Sequence, residues 1–154
     1  MKTSFAIVAL LAISAAPAFA AGDAEAGKKV FNQCQTCHTV TDPSGTVLAG
    51  KSAKVGPNLY GVIGRPAASY EGFKYGDGII AARDAGLVWD EEKIAVYTQD
   101  PTAFLDEFTG NPKLKSKMAF KLKKPQDGAD VAAFLASLAP PAADAAAPAA
   151  TTSP

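Results

Sequence analysis

The sequence predicts an all-α protein built from short helices with long loops between them. Three observations predict it. Apolar residues recur at helical 3/4 spacing in brief runs bounded by cap and breaker residues. No strong strand pattern appears in the loop over 39–59. And the two cysteines fall at Cys34-Gln35-Thr36-Cys37, with the single histidine, His38, directly after.

Residues 1–20 read as a secretory leader. Lys2 supplies the positive start, Phe5 to Ala16 the apolar run, and Ala18-Phe19-Ala20 the small-residue cleavage site. That run is 12 residues long before Pro17, and a spanning helix needs about 20. Cleavage after Ala20 is therefore expected in place of a stable membrane anchor. Asp23 then caps a helix from Ala24 to Gln33, with Ala26, Gly27, Val30 and Phe31 on one face. Gly27 weakens that helix, which points to a second helix packed close against it. Residues 39–59 hold Pro43, Gly45, Gly50, Gly56 and Pro57 and read as loop; Thr46-Val47-Leu48 is the best strand candidate and is too short to count. Ile79 to Ala85 is a short helix stopped by Gly86. Asp90 caps the next, with Glu91 and Glu92 in its first turn where the helix dipole favours them and Ile94, Val96 and Tyr97 turned inward. Asp100-Pro101 opens another over Ala103 to Phe108, and 109–125 returns to loop. Ala129 to Leu138 is the last helix, striped by Val131, Phe134, Leu135 and Leu138. Residues 139–154 are Ala/Pro-rich without a bulky apolar residue, so a disordered tail is expected after a domain spanning 21–138.

Cys34-x-x-Cys37-His38 is the attachment signature of a c-type haem. Each thiolate adds to a porphyrin vinyl group, two intervening residues let one helical turn span both, and the next residue then lies under the iron. A zinc site would need a fourth ligand, and the chain has no further Cys or His. A thioredoxin-like pair would need a βαβ context that the flanks do not supply. One covalently bound haem c also explains how so little regular structure is stabilised, because it supplies an apolar body for helices and loops to wrap. Its attachment takes place outside the cytoplasm, which agrees with the leader and places the mature protein in the periplasm.

With His38 on one face of the iron, the opposite face has few candidates. Met118 is the one methionine besides the initiator and lies 80 residues downstream in a loop. A lone methionine more often fills a core gap, but Lys113-Leu-Lys-Ser-Lys-Met118-Ala-Phe-Lys is too polar a setting for that. Thioether ligation raises the reduction potential and closes the iron to small ligands. A five-coordinate haem, as in a gas sensor or peroxidase, is the alternative.

The full chain carries 15 basic and 15 acidic groups; loss of Lys2 with the leader leaves 14 against 15, a net of −1. That balance argues against nucleic acid or an anionic membrane surface as partner. The charges are nonetheless segregated. Lys113, Lys115, Lys117, Lys121, Lys123 and Lys124 fall within twelve residues free of acids, whereas 84–107 holds seven acids against Lys93. Most lysine runs are ordinary solvated charge. Bracketing Met118, this one would surround the haem edge and steer an acidic partner on and off quickly.

From Gly22 to Leu138 the chain resembles class I cytochromes c, and within them the bacterial cytochrome c2 and c-550 type. The resemblance rests on Phe31-Asn-Gln-Cys34-Gln-Thr-Cys37-His38, Lys54-Val-Gly56-Pro57-Asn58-Leu59-Tyr60-Gly61, Gly64-Arg65, Gly72-Phe73-Lys74-Tyr75-Gly76, Trp89-Asp90-Glu91-Glu92 and Lys117-Met118-Ala119-Phe120. It implies the cytochrome c fold and several site roles. The Pro57 carbonyl accepts the imidazole proton of His38. Arg65, Tyr75 and Trp89 surround the haem propionates. Ser116 keeps a hydroxyl where threonine is common, Tyr97 sits near the Met118 sulfur, and Phe120 lies at the exposed haem edge. Gly27 and Phe31 cross the last helix near Phe134, and Tyr60 is left as core packing. The Thr102–Lys115 segment is longer than in the shortest members, and the tail is extra. The implied function is that of a monomeric electron carrier, not an enzyme, from a cytochrome bc1 complex to a photosynthetic reaction centre or terminal cytochrome c oxidase.

Overall fold

The computed structural model describes residues 21–138; the expected leader over 1–20 and the expected disordered tail over 139–154 fall outside them. Helix α1 (Ala24–Val30) starts where Asp23 accepts the N–H groups of Glu25 and Ala26 at 2.8 and 3.2 Å. It tightens into a 3₁₀ turn at Phe31–Gln33 that delivers the chain to Cys34.

The expectation of plain loop over 39–59 needs correcting. Strands β1 (Thr39–Thr41) and β2 (Val47–Gly50) pair as an antiparallel hairpin, with Thr39 opposite Gly50 and Val40 opposite Ala49. Asp42 makes the turn: its Oδ1 accepts the N–H groups of Ser44 and Thr46, each at 2.9 Å, and the Ser44 hydroxyl at 2.6 Å. Val40 is fully buried and anchors the hairpin. Strands of three and four residues are too short for alternation to mark them.

Four further helices follow: α2 (Asp77–Asp84), α3 (Glu91–Gln99), α4 (Pro101–Thr109) and α5 (Pro125–Ser137). Helix α2 begins two residues before the expected Ile79. Helix α5 begins four before the expected Ala129, because Pro125 occupies the first helical position that proline tolerates. In α3, Ile94 and Ala95 are buried, while Val96 and Tyr97 are partly so. Between the hairpin and α2, the chain is tied to the α3 entrance by Gly64 N–H to Trp89 O (2.7 Å), Ala67 N–H to Leu87 O (2.8 Å) and Trp89 N–H to Arg65 O (3.0 Å).

The core sits where α5 crosses α1 and α3. A Cβ on Gly27 would lie 1.9 Å from the Asp130 carbonyl oxygen and 2.8 Å from the Phe134 Cβ. One on Gly128 would lie 2.6 Å from the Ala95 carbonyl oxygen. A glycine thus opens each crossing, as expected for Gly27. Beside the first, Phe31 and Phe134 meet at a ring distance of 5.6 Å. Val131, Phe134 and Leu135 are buried and Leu138 partly so. Buried Asp130 accepts the Asp23 N–H (2.9 Å) and the Gln126 amide (2.8 Å), so its carboxylate is satisfied.

Candidate functional site

The 3₁₀ turn, helices α2, α3 and α5 and the loops around them line one cavity of about 740 Å³, a size typical of ligand sites, which run from about 300 to 1,000 Å³. Its wall includes Cys34, Cys37, His38, Pro57, Arg65, Tyr75, Trp89, Tyr97, Ser116, Met118 and Phe120. Those are the eleven candidate residues of the sequence, drawn from positions 34 to 120.

Continuing hydrogen bonds in the helical sense present the cysteines. Cys34 N–H reaches Phe31 O (2.8 Å), Cys37 N–H reaches Cys34 O (3.0 Å), and His38 N–H reaches the same oxygen (2.9 Å). One turn therefore places Cys34, Cys37 and His38 on a common wall. Burial, with Cys37 alongside, pushes the Cys34 thiol up to about 11.

His38 Nδ1 lies 2.9 Å from the Pro57 carbonyl oxygen. A carbonyl can only accept, so Nδ1 carries the proton and Nε2 keeps its lone pair for a metal. Burial lowers the histidine pKa and the Pro57 bond partly opposes this, so the ring is neutral at neutral pH. Gly56 makes room for it: a Cβ there would stand 2.3 Å from His38 Cε1. The Gly56 N–H donates to Cys37 O at 2.7 Å and fixes the loop against the attachment turn.

Met118 enters from the segment between α4 and α5. Its N–H donates to Ser116 Oγ (3.1 Å), and that hydroxyl is 3.0 Å from the Tyr97 phenol oxygen. Burial raises the Tyr97 pKa, against the effect of the Ser116 bond, so the phenol keeps its proton. Tyr97 is held edge-on against Trp89 at 5.0 Å.

Arg65 is the chemically telling residue. Its Nη1 and Nη2 donate to Tyr60 O (2.9 Å) and Asn58 O (3.0 Å), and its guanidinium lies 5.6 Å from the Tyr70 ring centre. Burial lowers its pKa, and among the described residues no carboxylate pairs with it. A half-buried cation in an apolar wall suits a ligand that brings its own carboxylates. Beside it Tyr75 accepts the Tyr70 N–H at 3.3 Å, and burial raises its phenol pKa.

All six lysines of the 113–124 run are exposed, but of these only Lys117 lines the cavity. Lys121 pairs with Asp100 at 2.6 Å and Lys115 lies 3.9 Å from Asp106, so two are partnered by the acidic stretch. The sequence reading missed Lys54 and Lys74, which line the cavity from other loops. Their places beside Gly56-Pro57 and Tyr75 were the available signal. Val55, 73% exposed, and Phe120, 39% exposed, give the cavity wall an apolar margin between these cations.

A family model described as Cytochrome c matches residues 24–139. The chain belongs to the cytochrome c family. It is 54% identical over 136 residues to cytochrome c2 of Cereibacter sphaeroides, covering 87% of this chain and 94% of that one. It is 49% identical over 152 residues to cytochrome c-550 of Paracoccus versutus, covering 97% of both. The crystal structure of cytochrome c2 from Rhodobacter sphaeroides superposes with a TM-score of 0.75 at 56% identity, covering 77% of this chain and 97% of that one. As a cytochrome c the chain is an electron carrier with a covalently attached haem c, and Cys34 and Cys37 are its two cysteines at the required spacing. The cavity fits that group: thiols and a neutral imidazole on one wall, apolar side chains around, and a half-buried guanidinium for its acidic edge.

Proposed function

We propose that this cytochrome is a periplasmic single-haem carrier that passes one electron at a time and makes or breaks no substrate bond. Cys34 and Cys37 would hold the haem, which supplies a one-electron iron couple when bound, and His38 Nε2 and the Met118 sulfur would ligate its iron. The observation that carries this reading is that the chain's single histidine and its one internal methionine, 80 residues apart, both line one cavity. The Pro57 carbonyl orients the imidazole, Arg65, Tyr75 and Trp89 receive the propionate edge, and Ser116 and Tyr97 hold the Met118 side. Phe120 stands at the exposed edge.

The electron comes from a cytochrome bc1 complex and goes to a photosynthetic reaction centre or a cytochrome c oxidase, as the likeness to cytochromes c2 implies. Docking uses the exposed Lys113, Lys117, Lys123 and Lys124 with Lys115 and Lys121, joined by Lys54 and Lys74 at the cavity. Among the described residues no helix is long and apolar enough to cross a membrane.

The test is the ferric spectrum and potential of the holoprotein. Wild type should be low-spin with a sulfur-to-iron band. Met118→Ala should lose that band, open the iron and lower the potential substantially. An unchanged potential overturns Met118 as ligand, and a high-spin five-coordinate wild type would favour a ligand-binding haem protein.

A further inference from the structure

Residues 111–124, which carry Met118, contain neither helix nor strand. Such a segment keeps its position through the bonds it makes to rigid elements. Several of them converge on one short stretch. The Ser116 N–H donates to Thr102 Oγ1 (3.3 Å), Lys121 Nζ donates to Asp100 Oδ2 (2.6 Å), and the Leu122 N–H donates to Thr98 O (2.8 Å). Thr98, Asp100 and Thr102 form the junction where α3 gives way to α4. Asp100 ends α3 and caps α4, accepting the Ala103 N–H at 3.2 Å, with Pro101 buried behind it. One bond precedes Met118 and two follow it, so the junction grips both flanks of the methionine.

We propose that the α3–α4 junction is a clamp holding Met118 at the cavity, with Asp100 and Thr102 as its positioning residues; this rests on Met118 being an iron ligand. Neither residue lines the cavity. Their influence on the iron runs through the segment they hold. The segment has a closed state, with the thioether seated, and an open state that leaves the coordination position to an added ligand. Bonds present when closed and lost when open set the ratio of the two. Removing them raises the open fraction without touching any group around the haem.

The probe is imidazole added to the full-length ferric holoprotein, with affinity read by optical titration alongside the sulfur-to-iron band. Thr102→Val keeps the shape and removes the acceptor. Asp100→Asn keeps a capping side chain and removes the charge that pairs with Lys121. Thr102→Val should tighten apparent imidazole affinity about three- to tenfold, the worth of one such bond; Asp100→Asn, whose pair with Lys121 is exposed, should tighten it about two- to fivefold, and the two together should exceed either. Thr102→Ser should restore the wild-type value. Asp90→Asn is the control. Asp90 caps α3 and pairs with Lys93 in the same manner, away from the Met118 segment, and because it holds no part of that segment its loss should leave affinity unchanged. Unchanged affinity in both junction variants, or an equal gain in Asp90→Asn, overturns the clamp. Met118→Ala separates the two readings. Strong imidazole binding there with inert junction variants removes the clamp alone, whereas wild-type affinity in Met118→Ala removes the ligand assignment and the clamp with it.

Discussion

At the scale of single residues, the site depends on groups that leave room and groups that fix direction. Gly56 is the clearest of the first kind. Any Cβ there meets the His38 ring at under 3 Å on three ring atoms, and the ring is already held by Pro57 at 2.9 Å. Gly56→Ala should therefore displace the imidazole and cost about 1–3 kcal/mol or more from overpacking. Urea unfolding of the ferric holoprotein measures the cost, and a loss of the low-spin spectrum would report the displaced ligand. Arg65 is of the second kind. Its donors are committed to two backbone carbonyls, so its charge is held in place before any ligand arrives. His38 and Met118 were legible in the sequence because each is the sole residue of its chemistry in the domain. Lys54 and Lys74 were not, because a lysine beside a glycine loop looks like any solvated charge until the fold brings the loops together.

At the scale of elements, helix contacts depend on small residues at the crossings. Gly27 on α1 sits against the α5 backbone at Asp130, and Gly128 on α5 against the α3 backbone at Ala95. Gly27→Ala gains intrinsic helix propensity of up to about 1 kcal/mol, but the new methyl has nowhere to go. The overlap should win, with a net loss of about 1–3 kcal/mol visible as a lower thermal midpoint. A midpoint equal to wild type would mean that the two helices can slide apart freely. Helix caps were readable at Asp23, Asp90 and Asp100, since a carboxylate before an apolar run has a local meaning. The hairpin was not readable. Its turn depends on one side chain, Asp42, accepting several bonds, and its strands are shorter than the period needed to detect them.

For the whole molecule, the cavity decides how folding and haem attachment are linked. Without the haem, the apolar wall of this roughly 740 Å³ cavity would face water, and a domain held together by only about 5–15 kcal/mol has little margin for such a loss of burial. The chain lacking haem is thus expected to lose its cooperative fold. A Cys34→Ser/Cys37→Ser variant prepared without haem should show weak far-ultraviolet helix signal and no sharp thermal transition; a sharp transition would contradict this. Charge segregation also acts at this scale. Fields reach about 30 Å at 0.01 M salt but about 10 Å at 0.1 M. Electron exchange with a cytochrome bc1 complex should accordingly slow several-fold over that range in stopped-flow measurements, and a flat profile would remove lysine steering.

The order of residues by itself determined the haem attachment turn, the scarcity of iron ligands and most helix starts, because each depends on neighbours along the chain. It also required a close helix at Gly27 without saying which backbone atom lay opposite. Only the tertiary structure decided that Asp130 fills that place, that Asp100 and Thr102 flank Met118, and that Lys121 is paired while Lys54 and Lys74 line the cavity. Those contacts join segments tens of residues apart, and no local pattern encodes a distance that exists only once the chain has closed around its haem.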